Sequence, residues 1–277
     1  MVEPVTTFAK RRWRNSLITI VAGMALIAWH KAFDVALYQP AFLTGWILLA
    51  TIIFLALYNG RKKLSMVPLG TASSWLQWHI YLGFLSILTF ALHVQWSIPN
   101  GILERILALF FIAVAGSGLI GLYLSRRFAR ALTRDTEEVV LERIPQFIAD
   151  LRGQAEALVI ESAVETSSSK ISDYYTGQLS PFFAKPKNMH QHLLGSPRAT
   201  FSLLTGLDNM KRYLDDREMA YAERLRQLVE SKDKLDYAYA LQTVLKVWLF
   251  VHIPATYGLI LLALLHLLLV YSFGGAR

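Results

Sequence analysis

The chain has 277 residues, 54 % of them hydrophobic and 17 % charged, with a net charge of +8; this composition places it among membrane proteins. It contains no cysteine, which excludes disulfides, thiolate metal sites, iron–sulfur clusters and CxxCH haem attachment. Residues 126–242 hold 17 basic and 17 acidic side chains while the remainder holds 11 and 3; the excess sits at the ends of apolar segments, as membrane orientation requires, and not on a polar domain, as a nucleic-acid partner would require.

In chain order, Lys10, Arg11, Arg12 and Arg14 precede the first apolar run. That run shows no small-residue cleavage site and is followed by further apolar segments, so it reads as a retained helix, roughly Leu17–Tyr38. His30, Lys31 and Asp34 interrupt its second half, with His30 and Lys31 expected as anchors at the outer interface. Gln39-Pro40 predicts a tight turn, and Ala41–Leu57 a second span, followed by Arg61, Lys62 and Lys63. The third span is Trp75–Trp96, closed by the turn Ser97-Ile98-Pro99-Asn100-Gly101; Trp75, Trp78 and Trp96 fit an aromatic belt. The fourth is about Arg105–Leu124, ending at Arg126, Arg127 and Arg130, and the fifth is Val247–Phe273.

Between spans four and five the pattern is helical. Val140, Ile144, Phe147, Leu151, Ala155 and Leu158 recur every three or four positions, and Leu207, Met210, Leu214, Tyr221, Leu225, Leu228 and Leu235 form a similar stripe. Ser167-Ser168-Ser169 and the stretch from Pro181 to Pro197 predict an irregular connection between two antiparallel arms. The expected fold is therefore all-α: an integral membrane bundle of five transmembrane helices with a cytoplasmic helical-hairpin insert. Residues 1–127 supply spans one to four, 128–242 the insert, and 243–277 span five. The basic clusters put the N-terminus and the insert on the cytoplasmic side of a plasma (inner) membrane, and the C-terminus outside. Spans three and five then run in the same direction.

Those two spans carry the chemistry. His79 and His93 lie fourteen residues apart on span three; His252 and His266 lie fourteen apart on span five. Fourteen residues advance about 21 Å and turn through nearly four full turns, so both histidines of a span share one face. Ionisable groups are costly within a span, and a repeated paired spacing is hard to assign to packing. Side by side, the spans would oppose His79 to His252 and His93 to His266. Zinc or copper would need three or four close ligands. Two facing imidazoles instead suit the two axial positions of a haem, solvated by the apolar bundle. The expected cofactors are thus two non-covalent haem b groups, with the four histidines as iron ligands.

Paired histidines at this spacing on two parallel helices resemble the dihaem b-type cytochromes, in particular the ferric reductase-like transmembrane family that includes the NADPH oxidases. That resemblance implies ligands on the third and fifth spans and a cytoplasmic N-terminus. The family pattern continues into a flavin- and nicotinamide-binding module, which this sequence lacks, and its insert between spans four and five is shorter. The resemblance therefore implies an electron-transfer subunit of a larger oxidoreductase complex with no catalytic residue of its own. It would be fed by a separate flavoprotein reductase or a membrane quinol and drained by an outer-side acceptor. Arg126, Arg127 and Lys246 are placed near the inner pair, as propionate partners or as plain topology anchors. Two other readings are a quinone-linked cytochrome b subunit and a haem-free membrane anchor or transporter.

Other motifs carry less. Gly116-Ser117-Gly118-Leu119-Ile120-Gly121 matches GxGxxG but lies inside an apolar span without a preceding strand; its small residues, with Gly83 and Gly258, predict close approach of a helix or macrocycle. Pro254 predicts a kink in span five. His190 and His192 read as solvated loop residues.

Overall fold

A computed structural model describes residues 5–36, 40–63, 70–135, 140–196 and 198–273. Among them there are helices and turns but no strand. The Gln39 turn residue and the side chains of Lys62, Lys63 and Arg130 lie outside the described residues. The long helices are α1 (Val5–Val35), α2 (Pro40–Lys63), α3 (Ala72–His93), α4 (Ile102–Asp135), α5 (Ile144–Thr166) and α10 (Asp216–Phe273). Shorter ones are α6 (Lys170–Tyr174), α7 (Ser180–Phe183), α8 (Met189–Leu194) and α9 (Arg198–Met210).

Among the described residues five helices are long and apolar enough to cross a membrane: Ala9–Val35, Pro40–Arg61, Ala72–His93, Ile102–Phe128 and part of Asp216–Phe273. The shortest have 22 residues, about 33 Å of helix against a hydrocarbon layer of about 30 Å. Their outward faces are apolar, with Leu17, Met24, Leu109, Ile120, Leu261 and Leu268 exposed. In water such a surface would be an aggregation liability; against lipid it is the ordinary finish of a span.

The chain divides into two compact units, residues 1–122 with 248–277 and residues 123–247. In the first, contacts fix the helix directions. His79 meets Leu55 and His93 meets Ala41, so α3 runs antiparallel to α2. Ser117 meets His252 and Glu104 meets His266, so α4 runs antiparallel to the end of α10. Asn15 Nδ2 donates to Gln77 Oε1, while Gly23 lies against Leu88, so α1 and α3 are parallel.

Local signals set the ends of α3. Thr71 caps it, its hydroxyl accepting from the Ser74 amide at 3.2 Å. At the other end the helix stops at His93, three residues before the expected Trp96. Gln95 and Trp96 take left-handed backbone angles (φ 52° and 56°), and the Trp96 amide reaches back to Ala91 O at 3.0 Å. That reversal satisfies carbonyls a helix end would leave open. α10 is helical without interruption through Pro254, where the Thr256 hydroxyl donates to His252 O at 2.8 Å.

In the second unit, α5 and the first half of α10 run antiparallel: Tyr221 OH donates to Glu165 at 2.7 Å, and Ile144 and Ile148 pack on Ala238 at the other end. Asp215 and Glu218 form a reciprocal cap at the start of α10. The expected irregular connection is instead mostly helical. Residues 170–183 form α6, a π-helical turn (Tyr175–Leu179) and α7. Ile171, Tyr175, Leu179, Phe182 and Phe183 from this stretch are buried against Leu158, Leu225 and Val229. Pro181 does not break it, because in the first turn of α7 its missing N–H costs no intrahelical bond.

Candidate functional site

Three of the four histidines are positioned by a second group through Nδ1. His79 and His93 both direct Nδ1 at backbone carbonyls of α2, Leu55 O at 3.1 Å and Ala41 O at 2.9 Å. These acceptors are themselves fourteen residues apart, so two antiparallel helices of the same period present two carbonyls to two rings. A carbonyl can take this bond in addition to its helical one, since it has two lone pairs. It fixes the proton on Nδ1 and leaves the Nε2 lone pair for a ligand.

His252 has a side-chain partner. Its Nδ1 lies 2.7 Å from Ser117 Oγ, and that hydroxyl donates to Val114 O at 2.8 Å. With its proton committed to the carbonyl, the hydroxyl accepts from the ring. Trp248 stacks on His252, with centroids 5.2 Å apart and planes 26° apart, and its indole donates to Ser117 O at 2.8 Å. Gly121 makes room for this indole; a methyl there would overlap the ring. His266 is the exception: its Nδ1 is buried without a hydrogen bond, and Glu104 Oε1 stands 3.8 Å away.

Two apolar cavities, and beside the second a smaller one lined by His93, His266 and Glu104, lie between these helices among the described residues. One is lined by His79 and His252 with Leu55, Phe84, Val114 and Gly118; the other by His93 and His266 with Gly45, Trp46, Phe90 and Leu267. Their empty volumes, open mouths included, are ≈ 710 and ≈ 1030 Å³. Ile52, Phe111 and Leu259 line both and form an apolar partition, against which Phe90 stacks on Phe111 at 4.2 Å.

These cavities can be tested for fit to a group held between two imidazoles. The His93 and His266 ring centres are 6.5 Å apart. A metal bound by one nitrogen of each ring at about 2 Å would separate the centres by about 6 Å. Each cavity offers two imidazoles and apolar walls. Close approach is built in by glycine. A Cβ on Gly45 would stand 2.9 Å from His93 Cε1, and one on Gly118 3.7 Å from His252 Cε1; a Cβ on Gly83 would meet nothing within 4 Å. The residues present fit a flat cofactor with two axial histidines.

Arg126, Arg127 and Lys246 belong to the second unit, where Lys246 pairs with Glu142 at 3.1 Å and Arg127 reaches Tyr123 OH at 3.4 Å. His30 has a buried Nε2 with no hydrogen bond among the described residues. His190 is exposed. His192 is not the solvated loop residue expected: it is on α8, with only 9 % of its side chain exposed, 3.5 Å from Asp233 Oδ1 and edge-on to Tyr237. Sequence reasoning missed Ser117, Trp248, Glu104 and Gly45. The sole signal was polar or small residues inside apolar helices, which by itself names no partner. No family model, curated protein or solved structure matches this chain.

Proposed function

We propose that this chain is a membrane electron-transfer subunit that holds two b-type haems, one between His79 and His252 and one between His93 and His266. The observation that carries the reading is the repeated arrangement of two histidine-faced cavities, with the Nδ1 of three rings tied to neutral acceptors. Bound by two imidazoles, haem supplies one-electron transfer and keeps no open coordination position. The protein's own residues do the rest. Leu55 O, Ala41 O and Ser117 Oγ hold the rings in one tautomer and orientation; the apolar walls exclude water and keep the surroundings at low dielectric. The two histidines of α3 stand about 21 Å apart along its axis, so the sites occupy different depths in the span.

On this reading the chain belongs with the ferric reductase-like dihaem cytochromes. The basic clusters orient the N-terminus and residues 128–242 toward the cytoplasm of a plasma (inner) membrane. A separate flavoprotein reductase or quinol delivers electrons, and an outer-side acceptor removes them. The reduced-minus-oxidised optical spectrum of the purified, haem-supplied chain tests the proposal. Low-spin b-type bands at about two haems per chain are expected, one per histidine pair. A chain without such bands would refute it.

A further inference from the structure

Among the described residues, His266 is the one ring of the four whose Nδ1 finds no hydrogen bond. The group nearest to supplying one is Glu104. Its carboxylate is in the first turn of α4, folded over Gly101 so that a methyl group at that glycine would overlap it. Glu104 and Asp34 are the carboxylates among the described residues of this unit, and Glu104 is the one beside a histidine of the cavities. Its position mirrors that of Ser117. Both project from α4 toward the end of α10, thirteen residues apart, facing histidines fourteen apart. α4 therefore serves both histidines of α10 as α2 serves both histidines of α3. The contrast is in charge: Leu55, Ala41 and Ser117 offer neutral oxygens, and Glu104 offers an anion.

Resting on the haem reading above, we propose that Glu104 is the positioning residue of His266. It accepts the Nδ1 proton, holds the ring with Nε2 toward the cavity, and makes the His93/His266 centre harder to reduce than neutral partners would. A carboxylate acceptor raises the basicity of the ligating imidazole, and a negative charge beside the iron favours its oxidised state. Glu104 thus lowers one midpoint selectively: the step from the His79/His252 centre becomes less favourable, and donation from the His93/His266 centre to the outer-side acceptor more favourable.

The test is redox potentiometry on the full haem-loaded chain, wild type against Glu104→Gln and Glu104→Asp, with His266→Ala used to mark which centre is which. Glutamine keeps the size and removes the charge. Glu104→Gln is expected to raise one midpoint by the equivalent of about tenfold in the reduction equilibrium, about 59 mV for one electron, with a matching change in that centre's low-spin EPR g-values. The other midpoint stays, the centre that moves is the one missing from His266→Ala, and Glu104→Asp remains closer to wild type. Midpoints that ignore Glu104→Gln, or that shift together, overturn this proposal alone. A wild-type chain that binds no haem overturns the functional reading, and this proposal with it.

Discussion

The Ser117 hydroxyl lies 2.7 Å from His252 Nδ1 while donating its own proton to Val114 O, so a serine that the sequence marked only as a small residue in a glycine-rich span orients a candidate ligand. Ser117→Ala removes that acceptor without adding bulk. Haem affinity at the His79/His252 cavity should fall about 10–100-fold, the usual cost of losing an outer-shell partner. The His93/His266 site should keep its affinity. Haem titration followed by absorbance, with site-resolved EPR, checks this; equal weakening of both sites would show that Ser117 acts on the whole bundle.

Gly45 tests the fit of the second cavity. A methyl group there comes 2.9 Å from His93 Cε1, whereas one at Gly83 meets nothing within 4 Å. Gly45→Ala should turn the His93 ring away from Ala41 O and cost about 1–3 kcal/mol through overpacking, with loss of the His93/His266 centre. Gly83→Ala, in the lining of the other cavity, should leave the fold and the His93/His266 centre in place. Thermal unfolding and haem content of both variants decide it, and equal behaviour of the two would contradict the described packing.

The second unit should respond to pH through His192. Burial holds its imidazole below the ordinary value of 6.5, Asp233 opposes that, and Lys232 adds to it. The unfolded chain therefore takes up this proton at higher pH than the folded one. Stability from this residue is full above 6.5 and is lost as pH falls through the window below, at no more than about 1.4 kcal/mol per pH unit for one proton. His192→Gln should lose less stability than wild type between pH 7 and 5.5 in denaturant unfolding. Parallel curves would mean that the ring titrates alike in both states.

What the sequence showed and what it hid follow from the range of the interactions. The fourteen-residue spacing of His79 and His93 is a helix-period signal, readable without any partner. The five apolar helices are legible for the same reason. The acceptors are not: Leu55 and Ala41 act through backbone carbonyls, which leave no trace in side-chain identity, and Ser117 and Glu104 meet their histidines only through tertiary packing. Residues 170–183 were misleading because serines and a proline bracket them. Their apolar members, Ile171, Tyr175, Leu179, Phe182 and Phe183, are spaced to face one core. His192 read as solvated because it lay in a stretch read as a loop, with no acidic residue near it in sequence, whereas what covers it, Asp233 and Tyr237, comes from α10.

The most direct measurement is haem content in single histidine variants of the full chain. His79→Ala and His252→Ala should each lose one haem, and the same one; His93→Ala and His266→Ala should each lose the other, leaving about one haem per chain in all four (two independent bis-histidine sites). Full haem content in any of these variants, or loss of different centres within a pair, would contradict the two-cavity account.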